Sequence, residues 1–230
     1  MIHIVSPVLY MLFVESFRFV KPCPRNTCMI LCRKFHNINL SVLSLFMFTG
    51  ITYAKYRQNK LSTIDGILCK SYNRDIYAEI WTNLFLYSKY LEWLDTLFLH
   101  LSGHKISGLQ YTHHMSTALL TYSYIYDDIN PQTFLPMSIN CLVHVFMYWY
   151  FAYPQGVLKQ FKKIITKTQI VQHMICVSIP FYTYFKRDCK QNMYSNEATV
   201  ILYTMYLVYF SKFYMDSYHN RKNKQYILKE

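Results

Sequence analysis

Two adjacent histidines are the strongest chemical signal in the sequence. His113 and His114 lie near the start of an apolar stretch, and Gln110 precedes them by three and four residues. On a helix, this spacing puts Gln110 on the face of the two histidines. A neutral imidazole can act as a nucleophile or as an acid and base, and histidines inside an apolar segment are costly to bury without a purpose. The alternative is a pair of histidines that bond backbone carbonyls and only support packing.

A second group of ionisable residues lies in the preceding apolar stretch, which reads KYLEWLDTLF. Lys89, Glu92 and Thr96 recur at spacings of three and four residues and share one helical face, with Asp95 beside it. Ionisable residues within a membrane-spanning segment indicate a functional site. The alternative is a Lys89–Glu92 pair that only stabilises helix packing.

A third group follows in NCLVHVFMYWYF. Asn140, His144 and Tyr148 repeat every four residues and form one stripe on a helix, with Tyr150 just beyond. The imidazole and the amide add acid, base and hydrogen-bonding capacity to the two groups above. For the tyrosines, the alternative is an aromatic belt at the membrane surface.

Two amides complete the candidate residues. Gln169 and Gln172 belong to the short segment TQIVQ. They could orient a ligand, or they could serve as polar contacts that hold neighbouring helices together.

The elements that must position these residues are membrane helices. Of the 230 residues, 53% are apolar and only 16% are charged, whereas soluble domains average about 25% charged residues. Several stretches approach the roughly 20 apolar residues that cross a bilayer as a helix. We predict one integral-membrane domain over residues 1–230, with a short first span and a basic tail from about residue 215. The spans are predicted at residues 2–20, 36–56, 77–101, 110–126, 132–153, 168–185 and 197–214.

The formal charge of +12 is distributed between the apolar stretches rather than in a nucleic-acid-binding motif. With a lumenal N-terminus, the predicted cytosolic segments carry more lysine and arginine than the opposite ones. This bias predicts a cytosolic C-terminus. Contact with anionic lipid or with the phosphates of a coenzyme A ester is a further use of the same basic residues.

The seven cysteines show no metal-binding or disulfide pattern. Cys28 and Cys32 are one helical turn apart but lack a second pair, so the spacing does not indicate a zinc site. We therefore expect no disulfide framework. Cys141 lies close to His144 in sequence, but it is in no motif of a cysteine nucleophile.

Taken together, these segments resemble the very-long-chain fatty acid elongase family. That family carries KxxExxDTxF, HxxHH, NxxxHxxMYxYY and TQxxQ in this order, and the chain reads KYLEWLDTLF, QYTHH, NCLVHVFMYWYF and TQIVQ. The resemblance runs from about His36, in HNINLSVLS, to about Tyr214. Gln110 replaces the first histidine of the HxxHH box, and Phe151 replaces the last tyrosine of the third motif.

The resemblance implies an all-α polytopic protein of the endoplasmic reticulum membrane, with six to seven transmembrane helices enclosing an acyl-chain tunnel. It implies the condensation of malonyl-CoA with a long-chain fatty acyl-CoA to give 3-oxoacyl-CoA, CO2 and CoA, with no metal or other cofactor. The partners implied are the two CoA esters, membrane lipid, the ketoacyl-CoA reductase, dehydratase and enoyl reductase of the elongation cycle, and a second copy of the chain.

The resemblance also suggests roles for the candidate residues. His113 or His114 is expected to be the nucleophile, with His144 as its acid/base partner. Asp95 is expected to fix a histidine tautomer, and Asn140 and Gln110 to orient imidazoles or stabilise an oxyanion. The expected substrate-binding residues are Lys89, Glu92, Thr96, Gln110, Tyr148, Tyr150, Gln169 and Gln172.

Two other classes of protein share parts of this pattern. Di-iron membrane desaturases and hydroxylases also carry HxxHH, but they need about eight histidines in several boxes, and the nine histidines of this chain form no second or third box. A membrane transporter whose polar stripe lines a pore is the non-enzymatic alternative. Iron content and thioester turnover distinguish these possibilities from an elongase.

Overall fold

The computed structural model describes residues 3–58, 60–70, 75–125, 131–186, 189 and 193–219. These residues form an all-helical bundle, with no strand in the described ranges. Its α-helices are α1 (Ser6–Glu15), α2 (Thr27–Arg57), α3 (Ile64–Leu68), α4 (Ile76–Leu91), α5 (Trp93–Leu101), α6 (Gly108–Ile125), α7 (Phe134–Ala152), α8 (Lys162–Tyr184) and α9 (Met193–Tyr214). Short 3₁₀ turns cover Ser16–Phe19, Pro131–Thr133 and Val157–Phe161, and a π-helical turn covers Met215–His219.

Each predicted span contains a helix. Helices α8 and α9 begin six and four residues before their predicted starts, and the first three spans also differ from their predicted bounds. The first predicted span is a short helix extended by a 3₁₀ turn. Helix α2 begins at Thr27, well before the predicted start, because the side chain of Asn26 accepts a hydrogen bond from the backbone N–H of Met29 (3.0 Å) and caps the helix. The third predicted span is two helices, α4 and α5, which are separated at Glu92. There the Glu92 carbonyl accepts from the N–H of Asp95 (3.1 Å), three residues on, which is the hydrogen bond of a 3₁₀ helix rather than of an α-helix.

Two of the described segments, Thr27–Arg57 and Pro131–Ala152, are long and apolar enough to cross a membrane. Large apolar side chains also lie on the outer surface of the bundle, such as Phe46 on α2 and Ile201 on α9. An outer surface of this kind suits lipid better than water.

The most extensive helix–helix contact among the described residues is between α2 and α7. The two helices are antiparallel, since Ser41 contacts Val145 and Lys55 contacts Phe134. Met47 and Ile51 of α2 pack there with Met137 and Cys141 of α7 in the main apolar core. The ring of Trp81 lies so close to Gly50 that a Cβ atom at position 50 would overlap it. A glycine is therefore required where α4 crosses α2.

The two ends of the bundle are held by different contacts. At the end where α2 begins, the guanidinium of Arg33 donates to the hydroxyl of Ser102 (2.9 Å). At the opposite end, Tyr182 donates to Asp65 (2.7 Å), and this hydrogen bond holds the pKa of the Asp65 carboxyl below its usual range. We call these the Ser102 end and the Asp65 end.

A disulfide at the Asp65 end corrects the expectation from the sequence. Cys69, just after α3, is bonded to Cys189, just before α9, across 120 residues of sequence. An odd number of cysteines with no regular spacing gave no indication of this pair, because the partners meet only through the packing of the helices. Cys23, Cys28, Cys32, Cys141 and Cys176 are free thiols.

Candidate active site

A buried ion pair lies at the end of α4, and its lysine is also hydrogen-bonded to α7. The Lys89 ammonium donates to the Glu92 carboxylate (2.7 Å) and to the side-chain oxygen of Asn140 (2.9 Å), and it lies 4.2 Å from the ring centre of Phe85. Lys89 and Glu92 are only 3% and 2% exposed. Since buried charges are tolerated only when they are paired, these contacts explain how the predicted polar face is accommodated inside the bundle.

The same pair orients His144. Because an ammonium can only donate, Lys89 fixes the side-chain oxygen of Asn140 towards itself and leaves the amide nitrogen to donate to Nε2 of His144 (3.1 Å). Nε2 is then an acceptor, so the ring proton is on Nδ1, which lies 3.5 Å from the Glu92 carboxylate. Both nitrogens of His144 are therefore oriented by neighbouring groups, and proton exchange with a substrate requires one of these contacts to be released.

Asp95 holds a histidine that the sequence did not single out. One of its carboxylate oxygens lies 2.8 Å from Nε2 of His36, and the other accepts from the hydroxyl of Tyr148 (2.7 Å). The Tyr148 ring in turn packs edge-on against the His144 ring, with centroids 5.2 Å apart. Asp95 thus fixes His36 directly and contacts His144 only through Tyr148.

His113 and His114 point to different neighbours. The His113 ring packs near the rings of His173 (6.5 Å) and Tyr206 (4.9 Å), whereas the His114 ring lies 6.3 Å from that of Tyr10. Neither histidine makes a hydrogen bond through its ring to a described residue, and Nδ1 of each is fully buried. Their rings therefore keep free lone pairs and N–H groups.

Thr96 joins the first helix to the site. Its hydroxyl is hydrogen-bonded to the hydroxyl of the fully buried Tyr10 (2.8 Å) and accepts from the side-chain amide of Gln110 (3.3 Å). Tyr10 also packs edge-on against Trp93 at 5.3 Å. The short α1 helix thus supports the wall behind His114.

A narrow cavity runs along the bundle beside these residues. Its polar end is lined by Lys89, His113, Asn140, Gln172 and His173. It continues past successive turns of α6 as far as Tyr124, about 16 Å along the helix at 1.5 Å per residue. Its volume of about 30 Å³ holds about two water molecules, so a longer occupant requires the side chains around it to move.

Nine of the thirteen candidate residues lie outside the cavity lining, His114 and His144 among them. Two of the nine, Tyr150 and Gln169, also lie outside the hydrogen-bonded network around Lys89 and Asp95. The Tyr150 ring packs against that of Phe151 (5.7 Å), and the side-chain amide of Gln169 contacts the sulfur of Met147 (3.1 Å). Their role in substrate binding stays a prediction.

Sequence reasoning missed three residues at the site, His36, Tyr10 and His173. Tyr10 and His36 lie on α1 and α2, which carry none of the four motifs, so no local spacing connects them with the motif residues. The one available signal for His173 was its position immediately after TQIVQ. For the di-iron alternative, the described part of the chain contains no group of three or more His, Cys, Asp and Glu side chains arranged to hold a metal ion.

The fold and this polar site define a class of helical membrane protein, and comparison with known proteins defines the family. The sequence pattern of the ELO: GNS1/SUR4 family matches residues 1–226. The chain therefore belongs to this family, which associates it with fatty acid elongation and lipid metabolism.

Named relatives agree with this assignment. The chain is 29% identical over 228 residues to "Fatty acid elongase sre1" of Dictyostelium discoideum, covering 96% of this chain and 84% of the relative. It is 31% identical over 163 residues to "Fatty acid elongase A" of the same organism, covering 70% and 59% of the two chains. It is 27% identical over 202 residues to "Fatty acid elongase 2" of Trypanosoma cruzi (strain CL Brener), covering 81% and 72%.

Proposed function

We propose that the chain is a 3-oxoacyl-CoA synthase that condenses malonyl-CoA with a long-chain fatty acyl-CoA. The observation that carries this proposal is the imidazole of His113. It has free ring nitrogens, lines the cavity, and lies beside Lys89 and Asn140, which direct His144. An unbonded nucleophile next to an ordered acid/base group is what acyl transfer requires.

In the first half-reaction, His113 attacks the carbonyl carbon of acyl-CoA. The bond between that carbon and sulfur breaks, and the CoA thiolate leaves with the proton that the acylated imidazole gives up. His113 is the better candidate than His114 because it lines the cavity and is partly accessible, whereas His114 is 5% exposed and outside the lining. Cys141 is buried in the apolar core and is not among the lining residues.

In the second half-reaction, malonyl-CoA loses CO2 and its carbon attacks the acyl group. The new carbon–carbon bond forms as the bond to His113 breaks, and the imidazole recovers a proton that His144 can deliver from solvent. The Lys89 ammonium, on the cavity wall, is placed to stabilise negative charge on the enolate. No metal or other cofactor takes part in either step.

The test is a single-turnover assay with acyl-CoA and no malonyl-CoA. We expect near-stoichiometric release of CoA and an acyl adduct on His113, detected by mass spectrometry of the intact and digested protein. If CoA is released only when both substrates are present and no adduct forms, a direct attack within a ternary complex is the better mechanism. The histidines would then act only as acid/base residues.

The disulfide supports the membrane orientation proposed from charge. Disulfides persist in oxidising compartments, so the Asp65 end, which holds Cys69–Cys189, would face the lumen of the endoplasmic reticulum. The Ser102 end and the basic loops would face the cytosol, with the C-terminus. A tag after Glu230 should therefore be accessible to protease in intact microsomes, and a protected tag would overturn the orientation.

The proposed partners follow from the reaction. The 3-oxoacyl-CoA product must be reduced, dehydrated and reduced again, so we expect association with a ketoacyl-CoA reductase, a dehydratase and an enoyl reductase in the same membrane. Co-purification from mild detergent would test for these enzymes and for a second copy of the chain.

A further inference from the structure

His173 is a second imidazole on the wall of the cavity. It belongs to α8 and is only 2% exposed. Its ring is enclosed by three aromatic rings of α9, those of Tyr203 (5.8 Å), Tyr206 (5.6 Å) and Phe210 (4.9 Å). These contacts fix the plane of the imidazole without providing a hydrogen-bond partner.

Neither ring nitrogen of His173 is hydrogen-bonded to a described residue, and Nδ1 is fully buried. A neutral imidazole has one donor and one acceptor, and a buried polar group without a partner destabilises the folded protein. An apolar ring at this position would avoid that destabilisation. Since His173 lines the same cavity as His113 and Gln172, the partner of its N–H group is best sought among the groups that enter the cavity.

We propose that His173 donates a hydrogen bond to the carbonyl oxygen of the acyl thioester while His113 attacks it. This inference rests on the proposed function, because it assigns a role in the acylation of His113. The rings of His113 and His173 have centroids 6.5 Å apart. That separation leaves room for one carbonyl group between a nitrogen of each ring, with the oxygen about 3 Å from the donor.

The step balances without any further reactant. A nitrogen of His113 bonds to the carbonyl carbon, and the electron pair of the C=O double bond moves to the oxygen, where the His173 N–H group stabilises the negative charge. Collapse restores the double bond and breaks the bond to sulfur. CoA leaves with the proton from the other nitrogen of His113, and His173 keeps its own proton throughout.

The choice of His113 as nucleophile and His173 as donor follows from their surroundings. His113 is half-buried, whereas His173 is only 2% exposed and is packed by three aromatic rings of α9, so His113 is the more accessible of the two to an acyl carbonyl. A hydrogen-bond donor needs only its N–H edge at the cavity, and it is most effective when its orientation is fixed before the charge develops.

The experiment measures the rate of CoA release in a single turnover with acyl-CoA alone, using full-length protein in detergent. His173→Phe keeps a ring but removes the donor, and we expect acylation to slow by about 10²- to 10³-fold, with little change in the acyl-CoA concentration that gives half the maximal rate. His173→Gln restores an N–H donor, and it should acylate at least about tenfold faster than His173→Phe. Met174→Leu, the next residue on α8 and exposed on the outer surface, is the matched control and should behave as wild type.

A purely structural role predicts a different pattern. In that case His173→Phe would acylate as fast as wild type, or it would lose rate only in proportion to the folded fraction measured by thermal unfolding. Either result, or an acyl adduct on His173 itself, overturns the inference. If His173→Phe is not obtained folded, His173→Met provides the same comparison with His173→Gln. A wild-type protein that forms no adduct would instead refute the acyl-enzyme mechanism.

Discussion

The two walls of the site differ in how completely their polar groups are bonded. On the wall formed by α4, α5 and α7, Lys89, Asn140 and His144 bond one another and Glu92 at 2.7–3.5 Å. On the wall formed by α6 and α8, neither His113 nor His173 makes a hydrogen bond through its ring to a described residue. Both walls line the same cavity.

This difference indicates that the two walls have different functions. A polar network in a low-dielectric interior is rigid when hydrogen bonds hold its groups. Here two bonds from the Lys89 ammonium and one from Asn140 to His144 do so, although Oε2 of Glu92 has no hydrogen-bond partner among the described residues. The α4–α7 wall can therefore hold acid/base groups in fixed positions. The α6–α8 wall keeps its imidazoles free, and their hydrogen-bonding capacity is available to a substrate. Changes to the first wall should thus affect folding and rate together, whereas changes to the second should affect mainly the rate.

The largest expected effect is the loss of the free imidazole at position 113. His113→Ala removes the proposed nucleophile, and a positioned acid/base group alone is worth about 10²- to 10⁴-fold in rate. We expect at least this loss in elongation and no acyl adduct, with thermal stability close to that of wild type. His114→Ala and His144→Ala should also be nearly inactive.

The matched control for this prediction is Cys141→Ala. Cys141 is buried in the apolar core next to the bonded wall, and this variant should keep most of the activity. An inactive but folded Cys141→Ala protein, together with an active His113→Ala protein, would show that the nucleophile is the Cys141 thiol and not the His113 imidazole.

The next largest effect should come from breaking the buried ion pair. Lys89→Met or Glu92→Gln leaves one charge buried without its partner, which costs about 3–5 kcal/mol in folding stability, measured by thermal unfolding in detergent. The double variant should recover much of this stability but not the activity, because both residues also orient Asn140 and His144. Glu79→Gln, an exposed acid on the same helix, is the control. If the single variants unfold at the same temperature as this control, the ion pair does not stabilise the α4–α7 wall.

A smaller effect is expected where Asp95 links α2 to α7. Asp95→Asn weakens the hydrogen bonds to His36 and Tyr148, and bonds to a charged group are worth about 1.5–3 kcal/mol, so activity should fall by about ten- to a hundredfold. His36→Gln retains a donor and should lose less activity than His36→Phe, in a comparison of maximal rates and half-saturating substrate concentrations. Equal rates for the two His36 variants would show that the contact only supports packing.

Local spacing predicted the parts of the site that lie within one helix. The Lys89–Glu92 pair and the Asn140–His144 contact are both found, because residues three and four apart meet on a helix surface regardless of the rest of the fold. The likeness of the four motifs to the elongase pattern predicted the family, which the match over residues 1–226 confirms.

Contacts between helices could not be predicted in this way. The bond between His36 and Asp95 spans 59 residues, and the disulfide between Cys69 and Cys189 spans 120. Each depends on which helices are neighbours and on their rotation, and the apolar faces of membrane helices are too similar to specify either. The break at Glu92 was missed for a related reason, since neither proline nor glycine marks it.

The smallest expected effect concerns Gln110, which replaces the first histidine of the family's box. Its amide donates to Thr96 over 3.3 Å, near the upper limit for a hydrogen bond, and Thr96 keeps its shorter bond to Tyr10 (2.8 Å) without it. An amide also cannot act as an acid, base or nucleophile at neutral pH. Gln110→Ala should therefore lower the maximal rate by less than about tenfold, the worth of a neutral hydrogen bond, and Gln110→His should keep the activity. Tyr10→Phe, which removes the stronger bond to the same hydroxyl, should cost at least as much as Gln110→Ala. If Gln110→Ala loses as much activity as His114→Ala, Gln110 belongs to the catalytic groups. The catalytic part of the α6–α8 wall would then extend to the start of α6.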